Sequence, residues 1–136
     1  MKMLLTKKFT FEMAHALDGY DGKCANLHGH SYHLEVTIEG TVQNSSGMTM
    51  DFGSIKKLVQ SAIVDKFDHA LVLKKGSELA LNQMTFQNLV EVPFNPTTEN
   101  LLIHFATILE PLIPAGTHLY SLRLAETDTS VAELQL

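Results

Sequence analysis

The sequence predicts an α+β fold, a four-stranded antiparallel sheet in the order ββααββ with two helices on one face. Three observations carry this. Apolar and polar residues alternate in two stretches near the start of the chain and two near its end; helical periodicity occupies two stretches between them. At 136 residues the chain is read as one domain, 1–136, long enough for a hydrophobic core without disulfide staples.

Residues 5–15 alternate, with Phe9, Phe11, Met13 and His15 on one side and Lys8, Thr10 and Glu12 on the other, which reads as a half-buried strand. Residues 18–26 are rich in Gly, Asp and Asn and read as a loop. Alternation resumes at His28: His30, Tyr32, Leu34, Val36 and Ile38 share its parity, while His33, Glu35 and Glu39 take the other. The segment from Gln43 to Gly47 reads as a turn. Ile55, Leu58, Val59, Ala62 and Ile63 then mark the buried face of a first helix, capped by Asp51 or Ser54. After Phe67-Asp68-His69-Ala70 comes a long irregular connection from Lys74 to Pro96, a kind of segment that is uncommon in compact domains and often functional. A second helix opens at Pro96-Thr97-Thr98-Glu99, with Thr as cap and an acid in its first turn, and Pro111 and Pro114 stop it. Residues 117–126 alternate again, placing Tyr120, Leu122, Leu124 and Glu126 in one row, and a last strand follows from Val131.

Composition narrows the function. A net charge of −5 with scattered lysines argues against nucleic acid, whose phosphates require a basic stripe. No run approaches the about 20 apolar residues that span a bilayer, and the start of the chain does not resemble a signal peptide. A single cysteine cannot form an intrachain disulfide, which fits a reducing cytoplasm. The expectation is a cytoplasmic protein acting on small molecules.

The chemistry concentrates between residues 15 and 30. His15, Cys24, His28 and His30 lie within sixteen residues of a chain with seven histidines and one cysteine. His28-Gly29-His30 on a strand points both rings to one side, and His15 ends the apolar row of the preceding strand. Three imidazoles with a fourth position open are the arrangement of catalytic zinc. Being neutral ligands, they leave the full ionic charge to stabilise an alkoxide or enediolate. Cys24 suits either a general base, its thiolate favoured by a cation and by Lys23, or a fourth ligand that would close the site. Asp68-His69 reads either as a proton relay or as a polar helix terminus. Glu126 sits at the inner end of an apolar strand. There it could accept two N–H donors from a guanidine-like heterocycle edge, or pair with Arg123 or a backbone cap. Glu99, Glu133, His33, His104 and His118 read as structural or surface residues.

Together these segments resemble the 6-pyruvoyl-tetrahydropterin synthase family, most closely its bacterial branch, the 6-carboxytetrahydropterin synthases of queuosine biosynthesis. The resemblance runs over nearly the whole chain. Its segments are Phe9-Thr-Phe-Glu-Met-Ala-His15, Cys24-Ala-Asn-Leu-His28-Gly-His30, Met50-Asp51-Phe52, Phe67-Asp68-His69, Pro96-Thr-Thr-Glu-Asn100, and Glu126-Thr127 with Ala132-Glu133. The chain departs from many bacterial members after Asp68-His69, reading Ala-Leu-Val-Leu73 where those end in Leu-Asn.

The resemblance implies the tunnelling fold, with subunit sheets joined into a barrel as a homo-oligomer, usually a hexamer built as a dimer of trimers. It implies zinc on His15, His28 and His30, and Cys24, Asp68 and His69 as catalytic residues, the last two reaching a neighbour's zinc. It also implies Glu126 as the anchor of a pterin substrate, 7,8-dihydroneopterin triphosphate. Lys23, Lys74, Lys75 and Arg123 are the candidates for the triphosphate. The alternatives are another pterin side-chain lyase or aldolase, a non-catalytic pterin- or metal-binding module, and a zinc hydrolase. The last lacks a Glu base beside the ligands.

Overall fold

The computed structural model describes residues 1–82 and 88–136, with the side chains of Cys24, Leu81 and Asn82 outside that description. Its elements are β1 (Lys2–His15), β2 (His28–Thr41), α1 (Phe52–Val59), α2 (Asp65–Phe67), β3 (Ala70–Lys74), α3 (Glu78–Asn82), β4 (Leu89–Val92), α4 (Thr98–Leu109), β5 (Thr117–Thr127) and β6 (Ser130–Gln135).

The two long strands β1 and β2 pair antiparallel without a break, from Lys2 opposite Thr41 to His15 opposite His28. Phe9, Phe11 and Met13 from one and Tyr32, Leu34, Val36 and Ile38 from the other are buried on the same face. β5 pairs antiparallel with β2, and β6 with β5. Over this face lie α4, with Leu101, Leu102, Phe105 and Leu109 buried, and the α1–α2 rod, with Ile55, Val59, Ile63, Val64 and Phe67 buried. Asp51, not Ser54, caps α1 by accepting from the Gly53 amide at 2.7 Å, and Thr97 caps α4 by accepting from the Asn100 amide at 3.1 Å. Between α1 and α2 the stretch Gln60–Val64 is a π-helix. This wider turn brings both Ile63 and Val64 to the core before Phe67.

The four expected antiparallel strands and the two expected helices on one face are therefore present, but the sheet has six strands, ordered β4-β3-β1-β2-β5-β6. The added pair corrects the sequence reading: β3 runs parallel to β1, and β4 parallel to β3. Both come from short apolar runs, whose burial hides the alternation that reveals a half-exposed strand. β3 is covered on both sides: Ala70 and Val72 join the main core, while Leu71 and Leu73 pack with Ala16 and Ala80 in a second cluster on the opposite face. There α3, part of the segment read as irregular, forms a small second layer.

Strand β5 corrects a second expectation. Thr37 pairs with Ser121 but Ile38 pairs with Leu119, so Tyr120 is an extra, bulged residue. Leu119 takes its place in the buried row, and the half-buried Tyr120 hydroxyl accepts from the Gln135 side chain at 3.1 Å. A further irregularity between Ala125 and Thr127 leaves Glu126 out of the β5–β6 ladder. His118, read as an ordinary strand residue, donates to the buried Glu39 carboxylate at 2.9 Å, which Lys2 also meets at 3.0 Å. Among the described residues no helix is long and apolar enough to cross a membrane.

His104 on α4 lies between Phe94 and Phe67, at centroid distances of 5.2 and 6.2 Å, and its Nε2 is buried without a hydrogen-bond partner. Burial, with a smaller contribution from Lys66, holds this imidazole below its ordinary range. The unfolded chain therefore takes the proton first as pH falls. The stability linked to His104 is whole above about pH 6.5 and drains below it. Replacing His104 with Leu is expected to flatten the fall of the thermal midpoint between pH 7 and pH 5, as measured by unfolding followed by circular dichroism. An unchanged acid slope would show that His104 contributes nothing to it.

Candidate active site

The β1–β2 register builds the site. His15 and His28 are direct partners across the two strands, and His30 lies opposite Met13, so all three imidazoles leave the sheet on the core face. Their ring centroids are 4.6, 4.9 and 5.2 Å apart and the planes are steeply inclined to one another. One ligand atom from each lies within 4.8 Å of the others.

Tautomers follow from the partners of the outer nitrogens. His15 Nδ1 lies 2.7 Å from the Pro96 carbonyl, and His28 Nδ1 lies 2.6 Å from the Asn26 carbonyl. A carbonyl only accepts, so both Nδ1 atoms donate and both Nε2 atoms carry bare lone pairs when the rings are neutral. Burial keeps His15 neutral by lowering its pKa. The two Nε2 atoms then face one another at 3.1 Å with no proton to share. His30 Nε2 is buried with no partner at all. Three unpaired imidazole lone pairs converging in a buried place are costly unless a cation sits among them. Two nitrogens bound tetrahedrally to zinc stand about 3.3 Å apart, close to the spacing seen here. The donor set fits such an ion. Carbonyls that fix ligand tautomers are the usual outer partners of metal-bound histidine.

Two carboxylates and a phenol surround the cluster. Glu126 Oε1 approaches His15 Nε2 to 3.8 Å. Its position outside the strand ladder aims it there, and it stands beside the three-histidine cluster rather than in it. Glu126 also lines a cavity of about 430 Å³ with Thr98, Glu99 and Ala132. Glu99, read from sequence as a helix-dipole residue, thus shares a cavity with the expected pterin anchor. Tyr32 is fully buried beneath the cluster, its ring 6.1 Å from His15 and 5.5 Å from His30 and stacked on Phe11. Burial pushes its phenol up, so it stays protonated.

Asp68 and His69 do interact, the point that adjacency in sequence leaves open. Asp68 Oδ2 lies 3.1 Å from His69 Nδ1, and Asp68 Oδ1 accepts from the Glu12 amide at 2.9 Å. That amide first, and His69 second, hold the Asp68 carboxyl below the usual carboxylate range. His69 and His30 line one cavity of about 450 Å³ that also includes Glu12, Ser31 and Asn88. Cys24 belongs to a 3-10 turn, Lys23–Ala25, two residues before the carbonyl that orients His28; its side chain lies outside the described residues. Of the candidate triphosphate ligands, Lys23 and Lys75 are exposed and Lys74 is half-buried, while Arg123 is turned toward Glu35 at 3.8 Å. Sequence reasoning missed Pro96 and Asn26, because a main-chain carbonyl leaves no trace in residue type.

Comparison with known proteins agrees with this geometry. Residues 4–136 match the family described as 6-pyruvoyl tetrahydropterin synthase. The 6-carboxy-5,6,7,8-tetrahydropterin synthase of Haemophilus influenzae is 38% identical over 143 residues, covering 96% of this chain and 97% of the relative. The human 6-pyruvoyl tetrahydrobiopterin synthase is 31% identical over 112 residues, covering 81% of this chain and 68% of the relative. The structure of the Caenorhabditis elegans 6-pyruvoyl tetrahydropterin synthase superposes with a TM-score of 0.77 at 26% identity, covering 100% and 96% of the two chains. The fold is thus the tunnelling fold, and the chain belongs to the 6-pyruvoyl tetrahydropterin synthase family.

Proposed function

We propose that this chain is a zinc-dependent lyase acting in the cytoplasm on 7,8-dihydroneopterin triphosphate. Its products are 6-carboxy-5,6,7,8-tetrahydropterin, acetaldehyde and triphosphate, the reaction of the queuosine branch. The observation that carries the reading is the convergence of three imidazole lone pairs, two of them fixed by backbone carbonyls, beside a loop with the chain's one thiol. The higher identity and fuller coverage of the Haemophilus influenzae relative support the carboxy-forming branch over the pyruvoyl-forming one.

When bound, zinc would supply Lewis acidity to the side-chain hydroxyls of the pterin and so acidify the neighbouring C–H bonds. The chain's own residues do the rest. Cys24, as thiolate, takes a carbon-bound proton, and loss of triphosphate follows by elimination. Asp68 stays ionised and holds the His69 ring by its Nδ1, leaving Nε2 to deliver or accept the second proton. Glu126, with Glu99 across the same cavity, offers carboxylate oxygens to the N–H edge of the pterin ring. Tyr32 and the apolar row behind it keep water from the back of the imidazoles. The active assembly is a homohexamer in which the Asp68–His69 pair serves a zinc site at the boundary between chains.

Zinc titration of the metal-stripped protein should reach one ion per chain and raise the thermal midpoint. In His30→Ala the affinity should fall at least ~10²-fold, larger than the usual loss for an outer-shell partner. Equal zinc uptake by this variant would remove His30 from the ligand set.

With 7,8-dihydroneopterin triphosphate, acetaldehyde and the carboxy product should appear in equal amounts. Cys24→Ala and His69→Ala should each slow turnover by roughly 10²–10⁴-fold. A pyruvoyl product without acetaldehyde would select the other branch of the family, and no turnover at all would select a binding module.

Light scattering in solution should give the mass of six chains. A monomer that is active alone would contradict a site completed between subunits.

A further inference from the structure

The connection between β3 and β4 is the segment that the proposed chemistry leaves without a task. It returns to the sheet at Asn88, beside the Asp68–His69 pair, and there the backbone is under constraint. His69 has φ of +61°, and is the one non-glycine residue with positive φ among the described residues. A side chain with a Cβ rarely holds this conformation unless its surroundings impose it. Packing does not impose it here, because the His69 side chain is 75% exposed.

Hydrogen bonds on both flanks do. On one flank the His69 amide donates to the Glu12 carbonyl, while the Glu12 amide donates to Asp68. On the other, the left-handed turn leaves the His69 carbonyl outside the β1–β3 ladder, which begins only at Ala70 opposite Met13. That carbonyl accepts from Asn88 Nδ2 at 3.2 Å. The main chain of Asn88 is anchored independently, its carbonyl accepting from the Leu71 amide at 3.0 Å. Any residue at position 88 keeps the main-chain bond; only a side-chain N–H donor keeps the other.

We propose that Asn88 is a positioning residue: its side-chain amide holds His69 in the left-handed conformation that presents the imidazole to the cavity shared with His30. The role in turnover rests on the reading of Asp68–His69 as the proton-transfer pair; the clamp itself rests on geometry alone. It assigns a function to the far end of the long connection.

Asn88→Ala and Asn88→Asp test this in the full-length, zinc-loaded protein. Asp is nearly isosteric but has no N–H to donate at neutral pH. Three measurements decide: amide hydrogen exchange at His69 by NMR, kcat against KM on 7,8-dihydroneopterin triphosphate, and the same substitution placed in a His69→Ala background. Both variants should exchange the His69 amide about tenfold faster, with the Leu71 amide unchanged. Both should lose about tenfold in kcat with KM held, and Asn88→Ala should cost nothing further once His69 is gone. Wild-type protection of the His69 amide in both variants would overturn the proposal. So would a donor-less Asp variant that behaves as wild type, or a rise in KM with kcat intact, which would make Asn88 a substrate contact. Faster exchange at Leu71 as well would also overturn it, as the sign of a merely structural loss. A wild-type chain inert toward the pterin would sink the functional reading alone, and the exchange rates would still decide the clamp.

Discussion

Everything at the site depends on the pairing register of β1 and β2. His15 stands opposite His28, and His30 opposite Met13, because Phe9, Phe11 and Met13 must share a face with Tyr32, Leu34, Val36 and Ile38. A slip of one residue in either strand would turn that strand's whole row outward and carry its imidazoles with it. Each of these side chains stabilises the fold by about 1.5–3 kcal/mol on burial. Exposing one strand's row would therefore consume most of the about 5–15 kcal/mol by which a domain is stable. The three histidines make no such contribution. They are a polar extension of an apolar row, carried to their meeting point by residues that have nothing to do with the chemistry.

This explains why the core of the site was legible in the sequence. A ligand that continues the buried parity of a strand is conspicuous, and His33, on the other parity, is exposed as expected. The caps at Asp51 and Thr97 and the buried helix faces were legible for the same reason: each is a local pattern with a local cause. What escaped depends on partners distant in sequence. β3 and β4 are too short and too buried to alternate. The shift at Tyr120 and the irregularity at Glu126 belong to the pairing of β5 with β2 and β6, which no window of β5 contains. The carbonyl of Pro96, which sets the tautomer of His15 across 81 positions, is invisible to any reading of residue types.

The sheet's departures from regularity cluster where chemistry is expected. Glu126 leaves the β5–β6 ladder and by doing so comes within 3.8 Å of His15. His69 leaves the allowed region for ordinary side chains at the junction of α2 with β3, where Glu12 meets it from β1. Bulges and strained residues persist only when surrounding structure over-determines them. Here the support comes from β1 and β2 themselves, the same pair that carries the imidazoles. One rigid hairpin thus sets the cluster, the Asp68–His69 pair and the cavity between them.

The polarity of these groups is arranged in opposite senses on the two sides of that hairpin. On the buried side the imidazoles are kept neutral and the Tyr32 phenol protonated, so that no charge competes with a cation for the three lone pairs. On the exposed side the Glu12 amide and His69 keep Asp68 ionised in reach of solvent. A metal-binding pocket requires neutral donors at the pH where it works, and a proton carrier requires a ring fixed by a neighbour that does not itself titrate there. Both conditions are met by how far each group is withdrawn from water and by which backbone group it meets, and both follow from the alternation of a single pair of strands.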